Sequence, residues 1–129
     1  MELRLLPGEL CICRLAPDEP WPPVPSGARL FSVTRTPAET SVVCDAHAAP
    51  PGARVEPGWR AIEVSGPLDF SLVGVVASLA VPLADAAVSV FVMSTFDTDY
   101  VLVRAQALDS AVAALSAAGH RVRDGGPAE

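Results

Sequence analysis

The chain has no lysine, only two histidines and three cysteines, and a single tyrosine among few aromatics. Its nine cations are all arginine and are outnumbered by fifteen acids, a net charge of −6. An acidic chain without a basic run is a poor partner for a phosphate backbone, so a nucleic-acid module is excluded. Three cysteines and two histidines are too few and too scattered for a disulfide framework or a zinc ribbon. Long hydrophobic runs are also missing. The most apolar stretch, residues 72–93, is broken by Pro82 and Asp85, whereas a spanning helix needs roughly 20 unbroken apolar residues. The start, MELRLLPGEL, carries Glu2 and Glu9 and has no apolar signal region, so the expected compartment is the cytoplasm and no membrane partner is expected. There Cys11, Cys13 and Cys44 stay reduced. Their apolar strand segments predict core thiols, buried and metal-free.

What is present is a hydrophobic half and an uneven supply of proline. Ten of the thirteen prolines fall at or before Pro57. That part reads as short strands between stiff turns with little helix. LCICRL at residues 10–15 is a strand. Residues 16–27 hold five prolines and form a loop. FSVTR and SVVC flank TPAET as a hairpin. Residues 46–58 are a connector with a short strand at 54–56. Beyond it, WRAIEV at residues 59–64 alternates as a strand. Leu72, Val76, Leu79 and Leu83 recur at helical spacing, predicting a helix over 72–85 with Asp69 or Ser71 as its cap. Residues 88–93 and 100–104 are strands. Leu108, Val112 and Leu115 mark a second helix over 105–118, closed by Gly119. Residues 120–123 form a last strand.

The order from Trp59 is β-α-β-β-α-β, the ferredoxin-like plan. The first part reads as an eroded copy. The fold class is therefore α+β, a tandem of ferredoxin-like units with antiparallel sheets. The expected boundaries are a helix-poor unit at 1–57, a complete unit at 58–123 and a frayed tail at 124–129.

Two loops stand out, residues 65–74 and residues 94–100. The strands at 59 and 88 are expected to be parallel neighbours, which brings both loops to one end of the sheet. Free N–H groups at Leu72 to Gly74 would suit a carboxylate. Asp69, Asp97 and Asp99 would accept from an ammonium. The same residues also fit ordinary caps and turns. His47 and His120 have no nucleophile at a recognisable spacing, and no glycine-rich phosphate loop is present. Neither catalysis nor a cofactor is expected.

GPLDFSLVGVVASLAVPLADAAVSVFVMSTFDTDYVLV, residues 66–103, resembles the ACT-domain superfamily. It is most similar to small bacterial tandem-ACT proteins related to the CASTOR-type arginine sensors and to aspartate kinase regulatory domains. FSVTRTPAETSVVC, residues 31–44, resembles the hairpin of the preceding half. The resemblance implies a regulatory protein that binds an amino acid and associates as a homodimer, with an unidentified regulated partner. The implied ligand residues are Gly66, Asp69, Phe70, Leu72 and Gly74 in the first loop, with Ser94, Thr95, Phe96, Asp97, Thr98 and Asp99 in the second. Ser32, Val33, Thr34 and Arg35 would line an opposite wall. The alternative is a protein-interaction module with a vestigial pocket.

Overall fold

The computed structural model describes residues 1–69 and 72–125. The fold is α+β, two ferredoxin-like units in tandem with the first poor in helix. One unit is Gly8–Trp59; the other joins Met1–Pro7 to the chain from Arg60 onward.

In the Gly8–Trp59 unit, β2 (Leu10–Leu15), β3 (Ser32–Arg35), β4 (Thr40–Asp45) and the first half of β5 (Arg54–Val64) run antiparallel in the order β3-β4-β2-β5. The expected separate strands at 54–56 and 59–64 are one. Gly58 carries the chain through at φ 79°, a conformation that a side chain resists. The proline-rich segment forms no regular element, since prolines remove donors and hold φ. A single 3₁₀ turn, Ala46–Ala48, follows β4. Cys11, Cys13, Leu15, Val42 and Cys44 form this unit's core.

The second unit contains β1 (Glu2–Leu5), the last half of β5, α1 (Val75–Asp85), β6 (Val90–Ser94), β7 (Asp99–Arg104), α2 (Leu108–Ala117) and β8 (Arg121–Asp124). The strand order is β6-β7-β5-β1-β8. Here the structure corrects three expectations. First, β1 was not anticipated, and it lies between β5 and β8, antiparallel to one and parallel to the other. The residues preceding Gly8 therefore belong with the second unit. Second, β5 and β6 are not neighbours, because β7 lies between them. Third, Asp124 closes β8 and Gly125 N–H bonds the Leu5 carbonyl at 2.7 Å, so the expected frayed tail does not begin at 124; residues 126–129 lie outside the described chain.

The core of this unit joins Leu79 and Leu83 of α1 and Ala111 and Leu115 of α2 to Leu3, Ile62, Val64, Val101 and Val103 of the sheet. Each helix contributes residues four apart, one face of a 3.6-residue period. Complete burial of one such leucine contributes about 1.5–3 kcal/mol. The N-terminal half of the expected α1 stripe is not in this core: Leu72 and Val76 are 53% and 37% exposed.

Pro82 lies inside α1 and cannot donate to the Ser78 carbonyl four residues earlier. His120 takes that place, with Nε2 at 2.9 Å from the Ser78 oxygen. A carbonyl only accepts, so Nε2 carries the proton and Nδ1 accepts from the Met1 ammonium at 3.0 Å. His120 is thus a structural bridge. Among the described residues, no helix is long and apolar enough to cross a membrane.

Candidate functional site

The loop after β5 and the β6–β7 hairpin meet at one end of the second unit. Leu68 N–H donates to the Asp97 carbonyl at 2.6 Å and ties them together. Gly66 sits at the crossing: a Cβ there would lie 3.1 Å from the Asp97 oxygen and 3.2 Å from Thr98 Cβ. The hairpin closes on itself, with Thr95 N–H donating to the Thr98 carbonyl at 2.8 Å. Ser94 Oγ donates to Asp99 Oδ1 at 2.5 Å. Thr98 is buried, and its hydroxyl donates to the Val64 carbonyl at 2.6 Å. The turn chemistry expected of DTD is real, and it fixes the hairpin against the end of β5.

The two loops enclose an open cavity of about 560 Å³. Nine of the eleven predicted residues line it: Asp69, Leu72, Gly74, Ser94, Thr95, Phe96, Asp97, Thr98 and Asp99. Gly66 lines an adjoining cavity of about 410 Å³ instead. Phe70 and the alternative cap Ser71 lie outside the described residues. Ser32, Val33, Thr34 and Arg35 form β3 of the other unit and are not among the lining residues.

The donors are displaced from their expected place. The helix starts at Val75, after Gly74 in the left-handed region at φ 79°, and no side chain caps it. Leu72 N–H is used by the Asp69 carbonyl at 3.0 Å. The first-turn N–H groups are those of Val75, Val76 and Ala77, which also line the cavity. A glycine that opens a helix gives no fixed offset in sequence, which explains the three-residue error. Leu68 was missed as well, having no signal beyond its position in the loop.

The adjoining cavity draws on residues that the sequence did not point to. Arg4 of β1 pairs with Glu63 of β5, Nη2 to Oε1 at 2.9 Å. Tyr100 donates its hydroxyl to the other Glu63 oxygen at 2.6 Å. Burial, then the bond to Glu63 and its charge, push the Tyr100 phenol up to about 12. Ser65, Pro67, Thr95, Asp97 and Thr98 complete the lining.

The larger cavity therefore combines helix N-terminal donors with carboxylates. No histidine or cysteine lines it. A family model described as "ACT domain" matches residues 54–117, both loops included. A solved protein of Agobacterium tumefaciens is 35% identical, with a TM-score of 0.84 over 99% of this chain and 96% of that one. The chain belongs to the ACT-domain superfamily. The human cytosolic arginine sensor for mTORC1 subunit 1 is 40% identical over 58 residues, 44% of this chain. The chain spans only 18% of the length of that curated relative. The ligand-free regulatory subunit of aspartate kinase from Thermus thermophilus shares the fold, with a TM-score of 0.60 at 14% identity over 87% of this chain and 93% of that one.

Proposed function

We propose that this ACT protein is a non-catalytic, cytoplasmic regulator that binds a free amino acid in the 560 Å³ cavity. The observation that carries the reading is the pairing of opposite polarities in one hollow. Uncapped N–H groups of Val75, Val76 and Ala77 face a carboxylate requirement, and Asp97 offers an acceptor for an ammonium. Asp99 is already engaged by Ser94, so Asp97 ranks first and Asp99 second, with Asp69 at the opposite loop. Three acids around the hollow favour a neutral or cationic amino acid over Asp or Glu. The arginine in the human relative's name is in keeping with that charge. Of the lining residues, Leu72, Val76 and Phe96 are exposed apolar side chains, Phe96 at 79%, and Val73 next to Leu72 in sequence is exposed too. Such a rim suits coverage by a second copy, a homodimer in which the ligand is closed off from water.

The test is a thermal-shift panel of the twenty amino acids, then calorimetry with the best hit on wild type, Asp97→Asn and Asp99→Asn. A ligand that binds only the native state raises its stability with concentration. A charge-assisted bond is worth about 1.5–3 kcal/mol, so Asp97→Asn should weaken binding roughly 10-fold to 150-fold. Equal affinity in all three removes these aspartates from the site. No heat at millimolar amino acid favours an interaction module with a vestigial pocket. Sedimentation of a monomer at micromolar concentration and above counts against the dimer.

A further inference from the structure

The Gly8–Trp59 unit brings its three cysteines together in its core. Cys11 and Cys44 face each other across the β2–β4 ladder, and Cys13 lies two residues along the same strand face. Cys11 Sγ is 3.6 Å from Cys13 Sγ and 3.7 Å from Cys44 Sγ, and all three sulphurs lie within 4.8 Å of one another. An atom bonded to three sulphurs at about 2.3 Å spans S···S separations of about 3.4–4.0 Å, from pyramidal to planar geometry. The two separations from Cys11 thus already fall within the range of a three-sulphur site. Among the described residues it is the group of cysteine, histidine and acidic side chains that could hold an ion.

Charge decides which ion. The three cysteines are 0–2% exposed. They pack with Leu15 and Val42 and against Phe31, Val33, Ala48, Ala49 and Ala53. Three thiolates on a divalent ion carry a net charge of −1, and on a monovalent ion −2. An uncompensated charge in an apolar core costs several kcal/mol. Three thiolates on a trivalent centre carry none.

We propose that Cys11, Cys13 and Cys44 form a capture site for a trivalent thiophilic metalloid of the arsenic(III) class. The three free, buried cysteines enter the reaction as thiols. Arsenous acid, As(OH)₃, exchanges its three As–O bonds for three As–S bonds. Each thiol proton leaves with a hydroxide as water, and arsenic remains As(III). Neutral reactants give a neutral complex, so the buried site gains no charge at any stage of the balance. Access is through the wall of a hollow of about 520 Å³ beside the proline-rich segment, since Leu15, Phe31, Ala48 and Ala49 belong both to that wall and to the packing around the sulphurs.

The full chain, reduced with a sulphur-free phosphine, is incubated with arsenite, desalted and weighed intact. The expected result is one arsenic per chain, a mass gain of one arsenic less three protons. X-ray absorption should show three As–S bonds and no As–O bond. Cys44→Ser and Cys13→Ser should lose the arsenic on desalting. The absorption measurement uses the wild type alone, so it decides the matter even where a variant fails to fold. A folded wild type that retains no arsenic overturns the proposal, as does arsenic bound through fewer than three sulphurs. Zinc retained stoichiometrically by the same thiols overturns the charge argument.

Discussion

Pro82 and His120 are 38 positions apart, yet the structure makes them partners through the Ser78 carbonyl. Replacing His120 with alanine removes the donor that substitutes for the missing amide of Pro82. A polar group left without its partner costs about 1–3 kcal/mol, and His120 as a residue is only 9% exposed, so its packing is lost too. Packing loss is common to any background; the orphaned carbonyl is not. In Pro82→Ala, residue 82 gains an N–H aimed at the Ser78 oxygen in the ordinary i→i−4 manner. His120→Ala should therefore cost about 1 kcal/mol less in the Pro82→Ala background than in the wild type, a coupling in the normal range for residues sharing one partner. Urea unfolding followed by far-ultraviolet dichroism reads this directly, since both α-helices lie in the unit that contains the bridge. Amide exchange at residue 82 in Pro82→Ala should be slow, showing that the new bond forms. Additive costs, equal in the two backgrounds within about 0.3 kcal/mol, would refute the substitution of one donor for another.

Tyr100 is the only tyrosine, so phenolate absorbance on alkaline titration reports it alone. The midpoint should fall near 12 in the folded chain and drop in Glu63→Gln, where the bond and charge that raise it are lost. A raised phenol means that the native state holds its proton longer than the unfolded state. The resulting stability is complete below pH 10 and is lost between pH 10 and 12. A wild-type midpoint at 10 would remove Glu63 and burial as causes. Thr98→Val keeps the shape but deletes the hydroxyl bond to the Val64 carbonyl; we expect a loss of about 1–2 kcal/mol by chemical denaturation. An unchanged unfolding midpoint would show that the hairpin does not depend on that bond.

Much of the candidate site was legible because its chemistry is local. STFDTDY announces a tight turn through side chains that bond their own backbone, and the turn is there, with Thr95, Thr98, Ser94 and Asp99 all engaged. GPLDFSLVG announces the end of a strand and the start of a helix. The position of that start was not legible: the register depends on where Gly74 takes its left-handed conformation, and several residues there could serve as a cap. Arg4 gave no signal, because β1 is four residues long and followed by Pro7 and Gly8. A strand that short is specified by its neighbours, not by its own pattern.

The sequence by itself determined the periods, the breaks and the superfamily. Alternation and helical spacing are properties of adjacent residues, so β2, β4, β7, α1 and α2 follow from the chain read in order. Tertiary structure alone decided what lies beside what. The insertion of β1 between β5 and β8, the place of β7 between β5 and β6, and the bridge from His120 to Ser78 all join residues far apart in the chain. The three cysteines show the division most clearly. Their types and strand positions predict buried thiols, and burial is what the fold delivers. Their convergence to S···S separations of 3.6 and 3.7 Å depends on the β2–β4 register, which places Cys11 opposite Cys44. A shift of one residue would turn one partner to the other face of the sheet.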